Sequence, residues 1–263
     1  MATEEAWASG DAYELYVGRW SRPVAREFLR WLGPARSAGW LDVGCGTGAL
    51  TEAILNEAAP STVRGEDPSS AHVTHVREHL NDPRAEFALG DARAIASPDA
   101  TYDYVVSGLV LNFVPDPADA LAEMNRVTRP EGIVASYVWD YASGMEMMRY
   151  FWDAASELDG RAADLDEAIR FPLFTPSGLA RLWKGSELRE VEVVPLVVPT
   201  VFQDFEDYWR PFLGGQGPAP RYNMSLSQDA RGRLRELLRE RLPVQSDCSI
   251  RLRARAWAVR GVV

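Results

Sequence analysis

The sequence predicts an α/β fold in which a doubly wound, mostly parallel, seven-stranded sheet carries helical cap insertions. Short apolar runs alternate with amphipathic segments from about residue 39 to residue 140. A glycine-rich turn follows the first apolar run, and acidic residues close the next two runs at Asp67 and Asp91. Alternating strands and helices are typical of a parallel sheet whose ligands bind beyond the carboxyl ends of its strands.

The composition bounds the class of protein and its partners. A length of 263 residues suits a single domain over residues 1–263. A net charge of -10 argues against a nucleic-acid partner, because phosphate binding depends on Lys and Arg. No apolar run approaches the ~20 residues that cross a bilayer, and the acidic N-terminal stretch does not resemble a signal peptide. We therefore expect a cytoplasmic protein with a small-molecule ligand and no membrane partner; monomer and homodimer both stay open.

The elements are predicted in chain order. Residues 12–32 predict one or two amphipathic helices broken near Pro23, within an N-terminal helical region at 11–34. The predicted strands cover about 39–44, two runs ending at Asp67 and Asp91, 101–114, 132–140, 187–198 and 248–262. The core sheet is therefore expected from 36–140 and 187–263, and the cap insertions from about 141–184 and 202–246.

The helices between the strands follow from periodicity and capping residues. One is expected at about 47–58, and the next begins after a cap at Ser69 or Ser70. A later helix is ended by Pro130 and Gly132. Its expected inward face carries Ala118, Leu121, Met124 and Val127.

The turn in "WLDVGCGTGALTEA" (residues 40–53) predicts a cofactor site. Gly44, Gly46 and Ala49 fit G-x-G-x-x-G/A, in which glycines let a pyrophosphate approach the backbone, so a nicotinamide cofactor stays open. Asp42 lies two residues before Gly44, however, and its carboxylate would repel a pyrophosphate. S-adenosylmethionine (SAM) carries an ammonium and a sulfonium and no phosphate, so an acidic residue beside close-packed glycines suits it better.

Four motifs resemble those of class I SAM-dependent methyltransferases. Asp42, Gly44, Gly46 and Gly48 form D-x-G-x-G-x-G, which resembles the first motif. "GDA" at 90–92, "YDYVVSGLVLNFV" at 102–114 and "RVTRPEGIVASYVWD" at 126–140 resemble later ones. Their order and spacing over about 36–140 resemble the ubiquinone/menaquinone-biosynthesis-like branch, the type 11 methyltransferase domain, and imply a Rossmann-like fold. Glu131 departs from a common glycine, which we expect to affect only a loop.

The resemblance implies where SAM would bind. Asp67 would accept hydrogen bonds from both ribose hydroxyls, and Asp91 would accept one from the adenine amino group. The Ala92 amide would donate a hydrogen bond to the adenine ring. Ser107, Gly108 and Leu109 would present carbonyls to the methionine ammonium, and Tyr16 and Trp20 would close over the methionine end, although aromatic residues at helical spacing are more often core. The full set of expected cofactor residues is Tyr16, Trp20, Asp42, Gly44, Cys45, Gly46, Gly48, Asp67, Pro68, Asp91, Ala92, Ser107, Gly108 and Leu109.

The two insertions are expected to determine the methyl acceptor. Segment 141–158 places Met145, Met148, Trp152, Ala155 and Leu158 along one helical face, and segment 202–222 is rich in aromatic residues. Together they predict a lid over a small, largely apolar acceptor. The predicted acceptor contacts are Trp139, Met148, Trp152, Trp209 and Phe212. Packing in a core or a dimer interface is the alternative.

Methyl transfer demands little acid–base chemistry, because the sulfonium already activates the methyl group. Asp140 is the predicted base for an acceptor that needs one, with Glu146 as a second candidate; Asp140 could instead cap the following helix. His72, His75 and His79 share one helix face, but we expect no metal there. The predicted function is methyl transfer from SAM to O, N or C of a small metabolite. A SAM-binding protein with a non-methylating reaction, or a nicotinamide oxidoreductase, are the alternatives.

Overall fold

The strands of the computed structural model begin at residue 39 and end at residue 262. They are β1 (Gly39–Val43), β2 (Thr62–Asp67), β3 (Ala85–Leu89), β4 (Tyr102–Gly108), β5 (Thr128–Trp139), β6 (Arg189–Phe202) and β7 (Ile250–Val262). The structure describes residue 16 and residues 18–215 and 217–263, with the backbone alone for Arg170. The predicted helical residues 11–15 and 17 lie outside the described residues.

Helices separate most of these strands. They are α1 (Arg19–Leu32), α2 (Ala49–Ala53), α3 (Ser70–His79), α4 (Pro117–Val127), α5 (Glu146–Leu158), α6 (Glu167–Arg170), α7 (Pro176–Gly185), α8 (Phe205–Trp209), α9 (Pro218–Ser225) and α10 (Gln228–Arg241). A π-helical turn, Ile54–Ala58, continues α2 directly. Ser69 caps α3, as the sequence predicted, because its hydroxyl accepts from the His72 amide at 3.4 Å.

The strands form one sheet in the order β3-β2-β1-β4-β5-β7-β6. The pairings that join β3, β2, β1, β4 and β5 are all parallel. The chain proceeds outward from β1 to β3 and then returns to β4 on the other side of β1. This reversal confirms the predicted doubly wound sheet, and such a switch point is where ligands bind in open α/β sheets.

The contacts divide the chain into two compact units. Of the described residues, the first contains 16, 18–20, 139–172 and those of 197–255, and the second contains 21–138, 173–196 and 256–263. Most of the sheet and the whole glycine turn belong to the second unit. We call the first unit the cap unit and the second unit the sheet unit. Whether the whole chain acts as the single domain expected over 1–263 stays a prediction.

The core of the sheet unit explains why its strands are continuous apolar runs. Leu41, Val105 and Val134 are fully buried in three adjacent strands, since helices cover both faces of such a sheet. Trp183 of α7 packs into the same cluster, and its indole N–H donates to the Val134 carbonyl at 3.1 Å. Helix α7 therefore belongs to the sheet unit, whereas the sequence analysis assigned it to the first insertion.

Several local predictions are wrong for identifiable reasons. Helix α1 runs through Pro23 without a break. The buried alanine of α4 is Ala120 and not Ala118, because the apolar face of the helix is rotated from the predicted one. Pro130 and Glu131 lie inside β5, where Glu131 adopts a φ of 63° that glycine would adopt more readily. Strand β3 ends at Leu89, so Asp91 lies two residues beyond it.

Candidate functional site

The glycine turn of the sheet unit is held against the end of β2. The amides of Gly44 and Cys45 both donate to the Glu66 carbonyl, at 2.7 and 3.0 Å. Gly44 and Gly48 have φ values of 75° and 89°, and a Cβ on either would lie within about 2.6 Å of Val110 or Val76. Glycine is therefore required at both positions by backbone conformation and by packing.

Gly46 differs from the other two glycines of the turn. Its φ is 52°, yet a Cβ there would meet no atom of the described residues within 4 Å. Its amide donates to Oδ2 of Asp67 at 3.0 Å. The backbone at Gly46 thus faces open space, which is the arrangement that the sequence analysis expected for close approach of a ligand.

Asp42 lies buried in β1, with 1% of its surface exposed. Its Oδ2 accepts a hydrogen bond from the Thr51 hydroxyl at 2.6 Å, and its Oδ1 has no partner among the described residues. Burial, reinforced by the negative charge of Asp67, raises the pKa of Asp42 to about 7. A buried carboxyl with one orphaned oxygen is suited to a donor or a cation supplied by a ligand.

Asp67 ends β2 and uses most of its hydrogen-bonding capacity within the sheet unit. Oδ2 accepts from the Gly46 amide, and Oδ1 accepts from the Ser69 amide at 2.9 Å. The His72 ring nitrogen Nδ1 lies 3.2 Å from Oδ1, and this hydrogen bond raises the pKa of His72. A carboxylate offers about four lone-pair sites, so His72 must turn aside before Asp67 can accept two further donors.

The potential around the turn is negative. The pKa of the buried Cys45 thiol is raised by burial and then by the charges of Asp42 and Asp67, with a smaller effect of Glu66. Cys45 is therefore a neutral packing residue beside Val73 and Phe87. The clustered carboxyl groups favour a cationic ligand and oppose a pyrophosphate.

The other predicted cofactor residues of the sheet unit lie at strand ends. The exposed Asp91 binds the guanidinium of Arg93 at 2.8 Å, and this pairing lowers its pKa. Ala92 is partly buried against the core, whereas Pro68 is exposed. Asp91 is thus already engaged by a neighbouring side chain, a competitor that the motif alone does not reveal.

Ser107 and Gly108, expected to follow the fourth strand, are its last two residues, and Leu109 is the first residue beyond it. Ser107 is fully buried, and its hydroxyl has no partner among the described residues. A Cβ on Gly108 would lie 2.6 Å from the Tyr137 hydroxyl oxygen. Leu109 has a φ of 64°, and its amide donates to the Tyr137 carbonyl at 2.8 Å. Such strain in a non-glycine residue is concentrated at functional sites.

Tyr16 and Trp20 belong to the cap unit. Tyr16 is 3% exposed and contacts Phe212 edge-on at 5.9 Å, and Trp20 contacts Phe202 at 5.6 Å. The Tyr16 hydroxyl and the Trp20 indole nitrogen have no partner among the described residues. Their contacts agree with the alternative that these aromatic residues are core, and their role at the cofactor stays a prediction.

The predicted acceptor residues are all buried in the cap unit. Phe151 stacks on Phe212 at 4.4 Å and meets Trp152 at 5.3 Å, and Trp209 lies 6.2 Å from Phe212. Their exposed fractions are at most 4%. Trp139 and Met148 are equally buried, and the Trp139 indole nitrogen has no partner among the described residues. This mutual packing indicates a hydrophobic core for the cap unit; acceptor contact stays a prediction.

A surface cavity of about 370 Å³ lies in the cap unit. It is lined by Ala155, Leu158, Asp159, Arg161, Tyr222, Leu226, Ala230, Arg233 and Leu234. None of the five predicted acceptor residues lines this cavity. Leu158, which the periodicity placed on the apolar face of α5, is 44% exposed.

Asp140 is engaged in a buried ion pair. Its carboxylate accepts from two nitrogens of Arg255, at 2.8 and 2.5 Å, and from the Ser143 amide and hydroxyl, each at 3.2 Å. The other candidate base, Glu146, pairs with Arg253 at 2.9 Å. Both contacts favour a structural role within the cap unit, and the catalytic role of Asp140 stays a prediction.

Glu167 of the cap unit is a buried carboxyl group that no sequence pattern predicted. Glu167 is 3% exposed, and burial raises its pKa to about 7. Its Oε2 accepts from the Trp152 indole N–H at 2.5 Å. Its segment, "DLDEAIR", is polar in sequence, and no pattern in it predicted burial.

The described residues contain no group of three or more His, Cys, Asp or Glu side chains arranged to hold a metal ion. His75 and His79 stack on each other at 4.1 Å, and His72 contacts Asp67. No described helix is long and apolar enough to cross a membrane.

Comparison with known proteins finds a family match within the sheet unit. Residues 41–136 match the family model described as a methyltransferase domain, type 11. The chain is 32% identical over 123 residues to trans-aconitate 2-methyltransferase of Variovorax paradoxus, covering 47% of this chain and 46% of that protein. It is 39% identical over 126 residues to demethylmenaquinone methyltransferase of Lysinibacillus sphaericus, covering 47% and 51%. The match spans about half the length of these relatives.

A solved structure supports the fold over most of the chain. Phosphoethanolamine N-methyltransferase 2 of Haemonchus contortus, in complex with SAM, aligns with a TM-score of 0.59 at 18% identity, covering 96% of this chain and 56% of that one. At this identity the similarity shows the fold alone. The motifs and the strand order agree with this match, and residues 41–136 are similar in sequence to the methyltransferase domain family.

Proposed function

We propose that the chain is a SAM-dependent methyltransferase that acts on O, N or C of a small, largely apolar metabolite. The observation that carries this proposal is the negative potential at an open glycine turn. Asp42 has an orphaned buried oxygen, and Asp67 adds a second carboxyl group beside the same backbone.

These residues fit SAM better than a dinucleotide. Asp42 and Asp67 have no described Lys or Arg partner, so a ligand with positive charge would relieve their mutual repulsion, whereas a pyrophosphate would increase it. The open space at Gly46 suits direct contact of a ligand with the backbone. The groups that would hold SAM are the glycine turn with Asp42, Asp67 at the ribose, Asp91 and Ala92 at the adenine, and residues 107–109 at the methionine end.

When bound, SAM supplies a methyl group that its sulfonium already activates. The protein then has to orient the acceptor and exclude water, and correct alignment can lower the barrier by about 7–11 kcal/mol. We assign that task to the cap unit, which contains most of the two insertions, and we propose that the whole chain acts as one enzyme. Its partner would be a small molecule.

The test separates three functions. Calorimetry should detect SAM binding and no binding of NAD, because the carboxyl groups repel the pyrophosphate. Incubation with labelled SAM and a library of small acceptors, followed by mass spectrometry, should yield a product heavier by one methylene unit. SAM binding without any such product would favour a non-methylating SAM protein, and NAD binding would favour the oxidoreductase.

A further inference from the structure

The surface cavity of the cap unit has no role in the proposed function. Its volume of about 370 Å³ falls within the range of small-molecule sites, near the lower end. Its lining comes from three places in the chain: the last turn of α5 with the residues that follow it, α9 with the residue after it, and the first half of α10. The cavity is therefore formed by the tertiary fold of the cap unit and not by one surface loop.

Apolar side chains form much of the lining. Ala155 and Leu234 are almost completely buried, and the ring of Tyr222 packs on Trp152 with the ring centroids 5.7 Å apart. Leu158, in contrast, is 44% exposed, although the periodicity placed it on the apolar face of α5. A ligand with an apolar body would cover part of Leu158 and replace its contact with water, which is favourable in proportion to the area covered.

The charged groups of the lining leave one positive charge unbalanced. Arg161 pairs with Asp159, and its Nε lies 3.2 Å from Oδ1. Arg233 is exposed and has no ion-pair or hydrogen-bond partner among the residues that the structure describes. The cavity thus has two guanidinium groups and one carboxylate in its lining. A ligand with a single negative charge fits this balance better than a cation or a dianion.

Tyr222 adds a neutral donor to the lining. Burial raises the pKa of Tyr222, and so does the charge of Asp159, while Arg161 acts in the opposite direction. The phenol therefore stays protonated near neutral pH, and its hydroxyl group can donate to an anion. An amine would find only the carboxylate of Asp159, which Arg161 already engages.

We propose that this cavity binds a small apolar carboxylate, with the carboxylate group at Arg233 and the apolar body on Leu158 and Tyr222. A guanidinium group presents paired N–H donors that match the two oxygens of a carboxylate. The site goes beyond the proposed function: none of the predicted acceptor contacts lines it, and its ligand is an additional one rather than the methyl acceptor. Binding stabilises the folded cap unit, because the ligand contacts α5, α9 and α10 together.

The test uses the full chain labelled with ¹⁵N in its indole groups, in a buffer of low ionic strength. The probes are 4-phenylbutanoate, 4-phenylbutan-1-ol and 4-phenylbutylamine, which share an apolar body and differ in their polar group. The reporter is the indole N–H of Trp152, assigned by its loss in Trp152→Phe, because Tyr222 contacts that ring. We expect 4-phenylbutanoate to shift this resonance saturably. It should bind about threefold more tightly than the alcohol and about tenfold more tightly than the amine.

A second resonance controls for non-specific binding. The indole N–H of Trp183 donates to the Val134 carbonyl in the sheet unit, and Trp183→Phe assigns it. This resonance should stay unchanged while that of Trp152 moves. Equal shifts of both resonances would show that the probe does not select the cavity, and the proposal would fall.

The variants test the charge and the space of the cavity separately. Arg233→Gln removes the charge, so it should weaken 4-phenylbutanoate about threefold and leave the alcohol unchanged. Arg235→Gln is the matched control, because Arg235 lies on the same helix, pairs with Glu206 and does not line the cavity. Ala230→Phe places a ring in the cavity, so it should abolish binding of both the carboxylate and the alcohol.

The carboxylate site is overturned if 4-phenylbutanoate does not shift the Trp152 resonance, or if it binds no more tightly than the amine. The same holds if Arg233→Gln and Arg235→Gln bind it equally well, or if Ala230→Phe binds it as the wild type does. The comparison among probes needs only the wild-type chain, so it decides the question even if a variant does not fold. Calorimetry with SAM tests the proposed function separately, and the failure of one proposal leaves the other standing.

Discussion

The Thr51 hydroxyl donates to one oxygen of the buried Asp42 at 2.6 Å, and no described group donates to the other. Thr51 is itself fully buried in α2. The pair thus places a half-satisfied carboxyl group beside the glycine turn. Because the pKa of Asp42 is about 7 without a ligand, its charge state changes near neutral pH.

Replacing Asp42 with Asn should change the pH dependence of stability. A raised carboxyl pKa means that the protonated form stabilises the unliganded fold; this contribution is complete below the unfolded pKa near 4 and is lost as the pH rises to about 7. The free energy of unfolding from urea denaturation should therefore fall less between pH 5 and pH 8 in Asp42→Asn than in the wild type. Each unit of pKa difference corresponds to about 1.4 kcal/mol. Parallel pH profiles for the two proteins would contradict the buried, perturbed Asp42.

Replacing Asp67 with Ala should weaken SAM binding about a hundredfold, or about 3 kcal/mol, because two charge-assisted hydrogen bonds to the ribose would be lost. The Gly46 amide would also lose its acceptor. Titration calorimetry measures the affinity, and Glu86→Ala, an exposed carboxylate on the adjacent strand β3, is the control. Unchanged affinity in Asp67→Ala would remove Asp67 from the proposed cofactor site.

Replacing Gly46 with Val should abolish SAM binding while the chain still folds. A Cβ at Gly46 meets no described atom within 4 Å, so the positive φ of 52° is the main opposition to it, at about 1–2 kcal/mol. Gly33→Val is matched, since Gly33 has a φ of 58° and equally open surroundings. Both variants should lose similar stability in thermal unfolding, and only Gly46→Val should lose the cofactor. An active Gly46→Val enzyme would refute the proposed ligand approach.

Replacing Trp152 or Trp209 with Ala tests whether these residues contact the acceptor as part of a lid or only pack in the core of the cap unit. Both rings are almost completely buried, so truncation should destabilise the cap unit by about 3–5 kcal/mol. If the variants fold, the acceptor KM should rise or kcat should fall while SAM affinity stays nearly constant. Trp152→Phe keeps most of the packing and removes the donor to Glu167, so it serves as the milder comparison. Loss of SAM binding or unfolding of both Ala variants would assign these residues to the core alone.

Replacing Asp140 with Asn should reduce stability before it reduces catalysis. Asp140 is 4% exposed and accepts hydrogen bonds from Arg255, so the substitution removes the charge of a buried carboxylate that pairs with a guanidinium. A double-mutant cycle with Arg255→Ala, measured by urea denaturation, should give a coupling energy of about 1–3 kcal/mol. A stable Asp140→Asn variant with kcat reduced a hundredfold would instead restore Asp140 as the catalytic base.

The glycine turn and the strand end at Asp67 could be predicted from the sequence because their signals are local. The turn from Asp42 to Gly48 needs glycine because its backbone adopts positive φ values, and the spacing of the glycines in the sequence indicates this. The position of Asp67 is predicted by the end of the apolar run that forms β2. The position of Asp91 was less well predicted. Strand β3 ends at Leu89, and the nearby Arg93 engages the Asp91 carboxylate. A motif specifies spacing and does not specify which side chain competes for a carboxylate.

The sequence by itself determined the doubly wound, mostly parallel sheet, the glycine turn and the resemblance of residues 41–136 to a methyltransferase domain, because alternating strands and helices admit few ways to cover both faces of a sheet. Only the tertiary structure decided the environment of Glu167, Asp140 and His72. Their partners are Trp152, Arg255 and Asp67, and the first two pairs join separate elements of the cap unit. Burial and charge pairing depend on which elements meet in space, and no periodicity along the chain encodes that for a single polar residue.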